Sequence, residues 1–349
     1  SLPLRTQTWR ARACVSRKNA ASRPGGDARL TAAPRPPNDD GMLAIFLETL
    51  PFFALIGLGY GAGRTRFFGA EATAHLTRFV FYFALSAMLF RFAANLSLGE
   101  VLNWRLVGAY LCATAAVYAL AMLVAVLRGL DTPTAAVEAQ CAAIGNTGFL
   151  GVPMLTLLLG PAAIGPVMMA LAVDLIVFSS LIVILITGAR DGRMSVRVLG
   201  TVGLGLLRNP MIVAISLGFA WSAVGHPLPE PADAFLALLG AAATPGALFA
   251  IGASLATKSA ERVSVAAWLS FAKLVLHPAA VALAVFVLFP VEPYQAGVVT
   301  AAAALPVAGN VYMLAQHYGV APQRVSAAIL FSTAASILTV TFVIAQLPG

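Results

Sequence analysis

Charged residues are scarce in this sequence. Only 10% of its 349 residues are Asp, Glu, Lys or Arg, and 60% are hydrophobic, whereas a typical soluble domain has about 25% charged residues. A soluble protein could not keep that much apolar surface away from water. The composition therefore excludes an ordinary soluble domain and indicates a protein of the lipid bilayer.

Signatures of enzymes and of bound metals are also missing. The three cysteines, Cys14, Cys112 and Cys141, show neither a disulfide framework nor a metal-ligand spacing. The sequence contains no P-loop, no HExxH and no GxSxG, which mark nucleotide triphosphatases, zinc proteases and serine hydrolases. We therefore expect no catalytic residue, no cofactor and no metal site.

Long hydrophobic runs are abundant. A helix of about 20 apolar residues crosses a hydrocarbon layer about 30 Å thick. Lipid offers no hydrogen-bond partners, so the backbone groups of such a segment must bond to one another. Ten such runs follow one another, at 43–62, 72–95, 104–127, 134–159, 162–187, 209–226, 232–256, 264–289, 293–317 and 322–346. We number them segments 1 to 10 and predict an all-α integral membrane protein with ten transmembrane helices.

Residues 1–41 differ from the rest of the chain. They hold eight basic residues and the run Pro34-Arg-Pro-Pro, without the apolar core of a secretory signal. A disordered basic tail or an organellar transit sequence would fit this composition, but we favour a non-native extension that ends before Met42. Because much of the net charge of +8 lies here, the high pI does not indicate nucleic-acid binding.

The loops between segments alternate in charge. Those after odd-numbered segments carry the basic residues Arg64, Arg66, Arg128, Arg190, Arg193, Arg197, Arg208, Lys258, Arg262 and Arg324. The other loops are poor in basic residues. Since cytoplasmic loops are enriched in Lys and Arg, we expect both termini on the outer side of a bacterial plasma membrane.

The two halves of the chain match at a constant offset of 159 residues. Pro51 corresponds to Pro210, Leu58-Gly59-Tyr60 to Leu217-Gly218-Phe219, Leu89-Phe90 to Leu248-Phe249, and Gly160 to Gly319. Five segments are an odd number, so the second copy enters the membrane from the opposite side. This predicts two inverted repeats, 42–190 and 209–349, joined by a cytoplasmic loop at 191–208.

Segments 4 and 9 contain matched helix-breaking sequences. They read Gly145-Asn-Thr-Gly-Phe-Leu-Gly-Val-Pro153 and Leu305-Pro-Val-Ala-Gly-Asn310. Gly and Pro weaken a helix, and broken helices at matching places often hold a transported ion or substrate. Kinks for helix packing are the alternative. We predict a substrate site at Asn146, Thr147, Gly148, Pro153, Pro306, Gly309 and Asn310.

Two charged residues lie deep in the predicted bilayer, where charge is costly and usually functional. Asp174 falls in the middle of segment 5 and Lys273 in segment 8, with His277 one turn later. Asp174 and Lys273 would form a structural ion pair or take part in proton or sodium coupling, and His277 would be a packed polar residue. Glu48, Arg78, Arg91 and Glu138 lie nearer to segment ends, so we expect them to reach the interface.

These motifs resemble the auxin efflux carrier family of membrane transporters, which includes plant auxin exporters and bacterial malate or malonate permeases. The resemblance covers residues 42–346. It depends on Asn146-Thr-Gly-Phe-Leu-Gly-Val-Pro-Met-Leu155, on Ala304-Leu-Pro-Val-Ala-Gly-Asn310 and Ala315-Gln-His-Tyr-Gly319, and on Phe81-Tyr-Phe-Ala-Leu-Ser-Ala-Met-Leu-Phe90. Ser86 departs from the usual proline, and the short loop after segment 5 favours a bacterial-type carrier over an auxin exporter.

The resemblance implies a fold similar to bile-acid symporters and sodium–proton antiporters, with segments 1, 2, 6 and 7 as scaffold and the others as transport core. It also implies that Asn146 helps to hold a substrate carboxylate at the crossing of segments 4 and 9, and that the protein is a homodimer.

The leading hypothesis is a secondary active or facilitative carrier of a small organic anion that works by alternating access. A sodium-coupled organic anion symporter would be marked by an acidic residue at the crossing, and the two broken sequences contain none. A membrane receptor without transport would use the same site. An intramembrane enzyme would need a nucleophile or paired acids, which we do not find.

Overall fold

The computed structural model of the chain describes residues 40–96, 103–191, 196–256 and 263–347, and regular structure in these ranges is helical throughout. The interpretations of the basic head before residue 40 and of Arg193, Lys258 and Arg262 concern residues outside these ranges. The helices are α1 Asp40–Arg64, α2 Ala70–Ala94, α3 Trp104–Leu127, α4 Thr132–Ala143, α5 Thr147–Leu159, α6 Pro161–Arg190, α7 Val196–Arg208, α8 Pro210–Val224, α9 Glu230–Leu255, α10 Val263–Leu288, α11 Pro293–Ala303, α12 Gly309–Tyr318 and α13 Pro322–Ala345.

Seven helices of the described ranges are long and apolar enough to cross a membrane, namely α1, α2, α3, α6, α9, α10 and α13. An eighth span results if α7 and α8, which meet at an angle of 71°, are counted as one broken helix. Predicted segments 4 and 9 each appear as two short helices, α4 with α5 and α11 with α12. The prediction of an all-α integral membrane protein is thus confirmed.

The stretch that the sequence assigns to a loop at 191–208 is largely helical, because residues Val196–Arg208 form α7. Apolar residues recur along it at helical spacing, and Arg208 lies in its last turn, where a positive charge is favourable. Asn209 then ends α7, and its side chain caps the start of α8.

The helices pack in two groups. In the first, which we call the scaffold group, α1 packs against α9 and α2 packs against α8 and α9. The second, the core group, contains α3 to α6 and α10 to α13, with α3 against α4 and α10 against α13. Helices α4 and α11 are strongly enclosed, since every residue after the first three of each is buried. Both are rich in alanine, which lets neighbouring helices approach closely.

The expectation that Glu138 reaches the interface is wrong. Its side chain is 1% exposed and lies between Arg128, at a nitrogen-to-oxygen distance of 2.7 Å, and Arg324. Its position in enclosed α4 explains the difference, because two arginines from other helix ends provide the compensating charge. Arg91 is likewise paired, with Asp233 of α9 at 2.7 Å, although both remain about one-third exposed.

Candidate functional site

The two interrupted helices meet backbone to backbone. The N–H of Asn146 donates to the carbonyl of Pro306 at 2.8 Å, and the N–H of Ala308 donates to that of Ile144 at 3.2 Å. Gly145 and Val307 thereby form a short antiparallel bridge. The crossing thus satisfies backbone groups that the helix breaks would otherwise leave unpaired in the interior.

Two helices begin at this crossing. Helix α5 starts after Asn146, whose carbonyl accepts from the N–H groups of Leu150 and Gly151, and α12 starts after Ala308. The first N–H groups of any helix lack an intrahelical acceptor, and the N-terminus carries a partial positive charge. Both positive ends therefore converge on one region.

A cavity of about 20 Å³ lies where these two N-termini meet. Its lining comprises Ile144, Gly145, Asn146, Gly148, Phe149, Leu171, Asp174, Leu175, Met211, Ala308, Gly309 and Asn310. The Asn146 side chain lies in this wall and does not cap α5, and among the described residues the Asn310 Oδ1 is buried without a hydrogen-bond partner. An unpaired buried oxygen is costly, so this wall favours a water molecule or a ligand group that donates to it.

Asp174 is the acidic residue of the cavity wall. Its carboxylate is 2% exposed and accepts hydrogen bonds from the Tyr110 hydroxyl at 3.1 Å and the Thr147 hydroxyl at 3.4 Å. Sequence reasoning placed no acidic residue at the crossing, because Asp174 belongs to a different segment. That expectation is corrected here, since α6 brings the carboxylate beside Asn146 and Asn310.

Lys273 is fully buried behind the crossing. Its ammonium donates to the carbonyl of Ala303, the last residue of α11, and lies 3.0 Å from His277 Nδ1. The Nε2 of His277 is in turn 3.0 Å from the Thr114 hydroxyl. A cation at a helix C-terminus is favourable, so Lys273 stabilises the end of α11. The described residues show no direct ion pair between Lys273 and Asp174.

The structure brings together most of the residues singled out from the sequence. Asn146, Gly148, Gly309, Asn310 and Asp174 line the cavity. Three others contribute indirectly or lie apart: Thr147 bonds to Asp174, Pro306 accepts from Asn146, and Pro153 lies further along α5. Apolar wall residues were missed, most notably Met211, which looks in sequence like any methionine of an apolar segment.

A helical membrane protein whose broken helices cross at a buried polar cavity has the organisation of a transport protein. Comparison with protein families agrees, because the family described as "Membrane transport protein" matches residues 44–344. The chain therefore belongs to this family, the auxin efflux carrier family, and is a transporter and not an enzyme.

A bacterial relative matches most of the chain. A protein of Rhizobium meliloti (strain 1021) named "Putative malonate transporter" is 31% identical over 298 residues, which represent 84% of this chain and 92% of that protein. The match therefore covers almost the whole length of the bacterial protein.

Proposed function

We propose that this protein carries a small carboxylate across the membrane by alternating access, with the anion bound in the cavity at the helix crossing. The observation that carries the proposal is the convergence of two helix N-termini on one cavity whose wall contains Asn146 and Asn310. Such N-termini favour anions because of their free N–H groups and their partial positive charge. The name of the bacterial relative makes malonate the first substrate to test.

The binding mode follows from the donors. One carboxylate oxygen would accept from the N–H groups of the first turn of α5, and another from those of α12. The amides of Asn146 and Asn310 would add side-chain hydrogen bonds. No lysine or arginine is among the lining residues, so neutral donors would hold the anion, which suits a carrier that must also release it.

A thermal-shift screen of the purified protein against mono- and dicarboxylates tests this proposal. We expect a carboxylate to raise the midpoint temperature of wild type and to have little effect on Asn146→Ala, because the variant lacks one amide at the crossing. Gln140→Leu is the control, since Gln140 is likewise a buried amide but lies in α4 and is not a lining residue. It should keep the response. Stabilisation by no carboxylate would refute the proposal.

Transport itself needs a second measurement, because a receptor would bind the same ligand. Counterflow of the stabilising anion in proteoliposomes is expected for a carrier. Binding without counterflow would favour a receptor.

We also propose that the chain consists of two inverted repeats of five transmembrane segments, 42–190 and 209–349, with α7 in the connection at 191–208. Element boundaries support this: α5 ends at Leu159 and α12 at Tyr318, 159 residues apart, and α2 begins at Ala70 and α9 at Glu230, 160 residues apart. Many secondary carriers contain two repeats of opposite orientation and use them for alternating access.

Packing supports the same repeat. In α1, Gly59 lies against the backbone of Phe249 in α9. The corresponding pair, Gly218 of α8 and Phe90 of α2, makes the corresponding contact, since a Cβ on Gly218 would lie 2.6 Å from the Phe90 carbonyl oxygen. Equivalent residues thus make equivalent contacts in the two halves.

The cavity contains a carboxylate, Asp174, that an anionic substrate would face. Two negative charges at 4 Å repel by about 4 kcal/mol at an effective dielectric constant of 20. We infer that a proton on Asp174 removes this repulsion, so that anion and proton are carried together. The hydroxyl groups that donate to the two carboxylate oxygens can also accept from a protonated carboxyl group.

A sodium ion at Asp174 is the competing coupling ion, favoured by the same acidic group at the crossing and by the Thr147 hydroxyl and Gly145 carbonyl, which lie 3.5 Å from each other. It would make the protein a sodium-coupled organic anion symporter. Sodium dependence of anion binding at constant pH would distinguish the two.

The remaining proposals concern the assembly. We place the protein in the bacterial plasma membrane, with both termini outside, as a homodimer formed through the scaffold group. Exposed large apolar side chains on α1, among them Leu43, Leu47 and Leu58, give that group a surface that lipid or a second copy would cover.

A further inference from the structure

One residue of the cavity wall comes from outside the core group. Eleven of the lining residues belong to residues 144–175 or 308–310 of the core group, whereas Met211 belongs to α8 of the scaffold group. Met211 therefore closes the cavity from the side at which the two helix groups meet. Its side chain is 3% exposed.

The methyl group of Met211 rests on the start of α5. A Cβ built on Gly148 would lie 2.7 Å from Met211 Cε, closer than two carbon atoms approach without strain. Gly148 therefore allows this contact, which places the Met211 methyl group beside the first turn of α5.

The backbone of Met211 is fixed while its side chain is not. Its N–H donates to Asn209 Oδ1 at 3.0 Å, and Pro210 opens the helix. The other walls are held by hydrogen bonds, between Asn146 and Pro306 and between Tyr110 and Asp174. A methionine side chain is unbranched and adapts its shape easily, so this wall can yield without breaking a hydrogen bond.

Some wall must yield before a substrate enters. A cavity needs about 10–15 Å³ to hold a water molecule, and this one measures about 20 Å³, which is too small for a three-carbon dicarboxylate. We propose that Met211 is the residue that sets the upper size limit of the bound anion, by closing the cavity over the N-terminus of α5. This inference rests on the proposed function.

The test compares the affinities of malonate, succinate and glutarate for wild type, Met211→Ala and Met211→Leu, measured by thermal shift or calorimetry. In Met211→Ala, the glutarate-to-malonate affinity ratio should rise roughly tenfold or more, since one methylene in a binding pocket changes affinity about 10–200-fold. Met211→Leu, of similar volume, should keep the wild-type ratio. Met211→Phe should lower affinity for all three acids.

The matched control is Ile215→Ala, one turn further along α8, where the side chain is 7% exposed but is not among the lining residues. It should keep the wild-type ratio. If Met211→Ala does not fold, Met211→Val replaces it. This variant removes less volume and should change the ratio in the same direction.

Three results would overturn the inference. A wild-type response to carboxylates with an unchanged ratio in folded Met211→Ala or Met211→Val would refute the size limit and leave the proposed function intact. An equal change in Ile215→Ala would show that the effect does not come from the cavity wall. A wild type that no carboxylate stabilises would refute the proposed function and the size limit with it.

Discussion

At the scale of single residues, the charge of Asp174 decides which other charges the cavity accepts. The carboxylate lies among the groups proposed to bind the anion and accepts from Tyr110 and Thr147. Lys273, which bonds to His277 and through it to Thr114, makes no direct ion pair with Asp174 but interacts with it by charge. A substrate anion therefore meets an acidic group that hydroxyls contact directly and that one buried lysine attracts from a longer distance.

We expect anion binding by wild type to weaken as the pH rises, by up to about tenfold per pH unit for one linked proton, because loss of the proton restores the repulsion. Asp174→Asn is neutral at every pH, so its affinity should stay constant and exceed that of wild type in alkaline solution. Calorimetric titrations with malonate on both sides of neutral pH measure this difference.

Asp233→Asn is the control for this experiment, because Asp233 pairs with Arg91 and is not a lining residue. It should retain the pH dependence of wild type. In proteoliposomes, Asp174→Asn should exchange anion but no longer accumulate it in response to a proton gradient. Transport and pH dependence equal to wild type would dismiss a coupling role for Asp174.

Residue types at the helix breaks could be predicted from the sequence, whereas the rotation of the neighbouring helices could not. Asn146 and Asn310 stand out because polar residues beside Gly and Pro are rare in apolar segments. Asp174 stands out as a charge, but segment 5 is apolar on all sides and so does not reveal which neighbour faces the carboxylate. Met211 has no such signal. Its one hint is that it follows Pro210, the counterpart of Pro51.

At the scale of helices, the sequence predicts where the breaks at Ile144–Asn146 and Ala304–Ala308 lie. It does not predict that these two breaks bond to each other. Gly145 and Pro306 mark where each helix is weak. The hydrogen bonds that pair the two breaks join residues about 160 positions apart, and nothing local specifies such a contact. Ser332 of α13 adds a further bond, accepting from the Val307 N–H at 3.1 Å, which a scan for broken helices would not find.

The close contact between α1 and α9 depends on glycines, since a Cβ on Gly59, Gly63 or Gly252 would lie within 3 Å of the facing helix. A Cβ on Gly59 would overlap the Phe249 carbonyl, whereas one on Gly61 of the same helix would meet nothing within 4 Å. Gly59→Ala should therefore lower stability by about 1–3 kcal/mol through overpacking. Gly61→Ala should be neutral or slightly stabilising, because alanine favours a helix by about 1 kcal/mol.

Thermal unfolding of the purified variants measures this contrast. Gly218→Ala should behave like Gly59→Ala, since its Cβ would meet the Phe90 carbonyl in the other half of the chain. Equal midpoints for Gly59→Ala and Gly61→Ala would contradict the packing described for α1 and α9. A destabilised Gly59→Ala beside an unaffected Gly218→Ala would weaken the proposed repeat.

At the scale of the whole molecule, the two ends of the core group differ in charge. At one end, Glu138 joins Arg128 to Arg324, and Arg190 donates to the Tyr318 carbonyl. These contacts bring the loops after segments 3, 5 and 9 to the same end, as their basic composition predicted.

At the opposite end of the core group, uncharged groups form the hydrogen bonds between helices. The Tyr294 hydroxyl donates to the Leu159 carbonyl at 2.7 Å, and Asn103 donates to Gln295 at 3.0 Å. The end of α13 lies here too, since a Cβ on Gly297 would be 3.6 Å from Leu347. Because positively charged loops stay in the cytoplasm, we propose that the arginine-rich end is the inner end and that the chain after α13 lies outside.

Labelling with a membrane-impermeant thiol reagent tests this orientation. In a variant without its own cysteines, Ala162→Cys, exposed beside Leu159 at the neutral end, should react in intact cells. Thr132→Cys, exposed near Arg128 at the arginine-rich end, should react only after the cells are permeabilised.

A fluorescent protein that matures only in the cytoplasm, fused after Gly349, should stay dark. Fluorescence of that fusion together with labelling of Thr132→Cys in intact cells would reverse the orientation, because the arginine-rich end would then face outward against the charge rule. Labelling of both cysteines in intact cells would contradict the placement of the two loops at opposite ends of the core group.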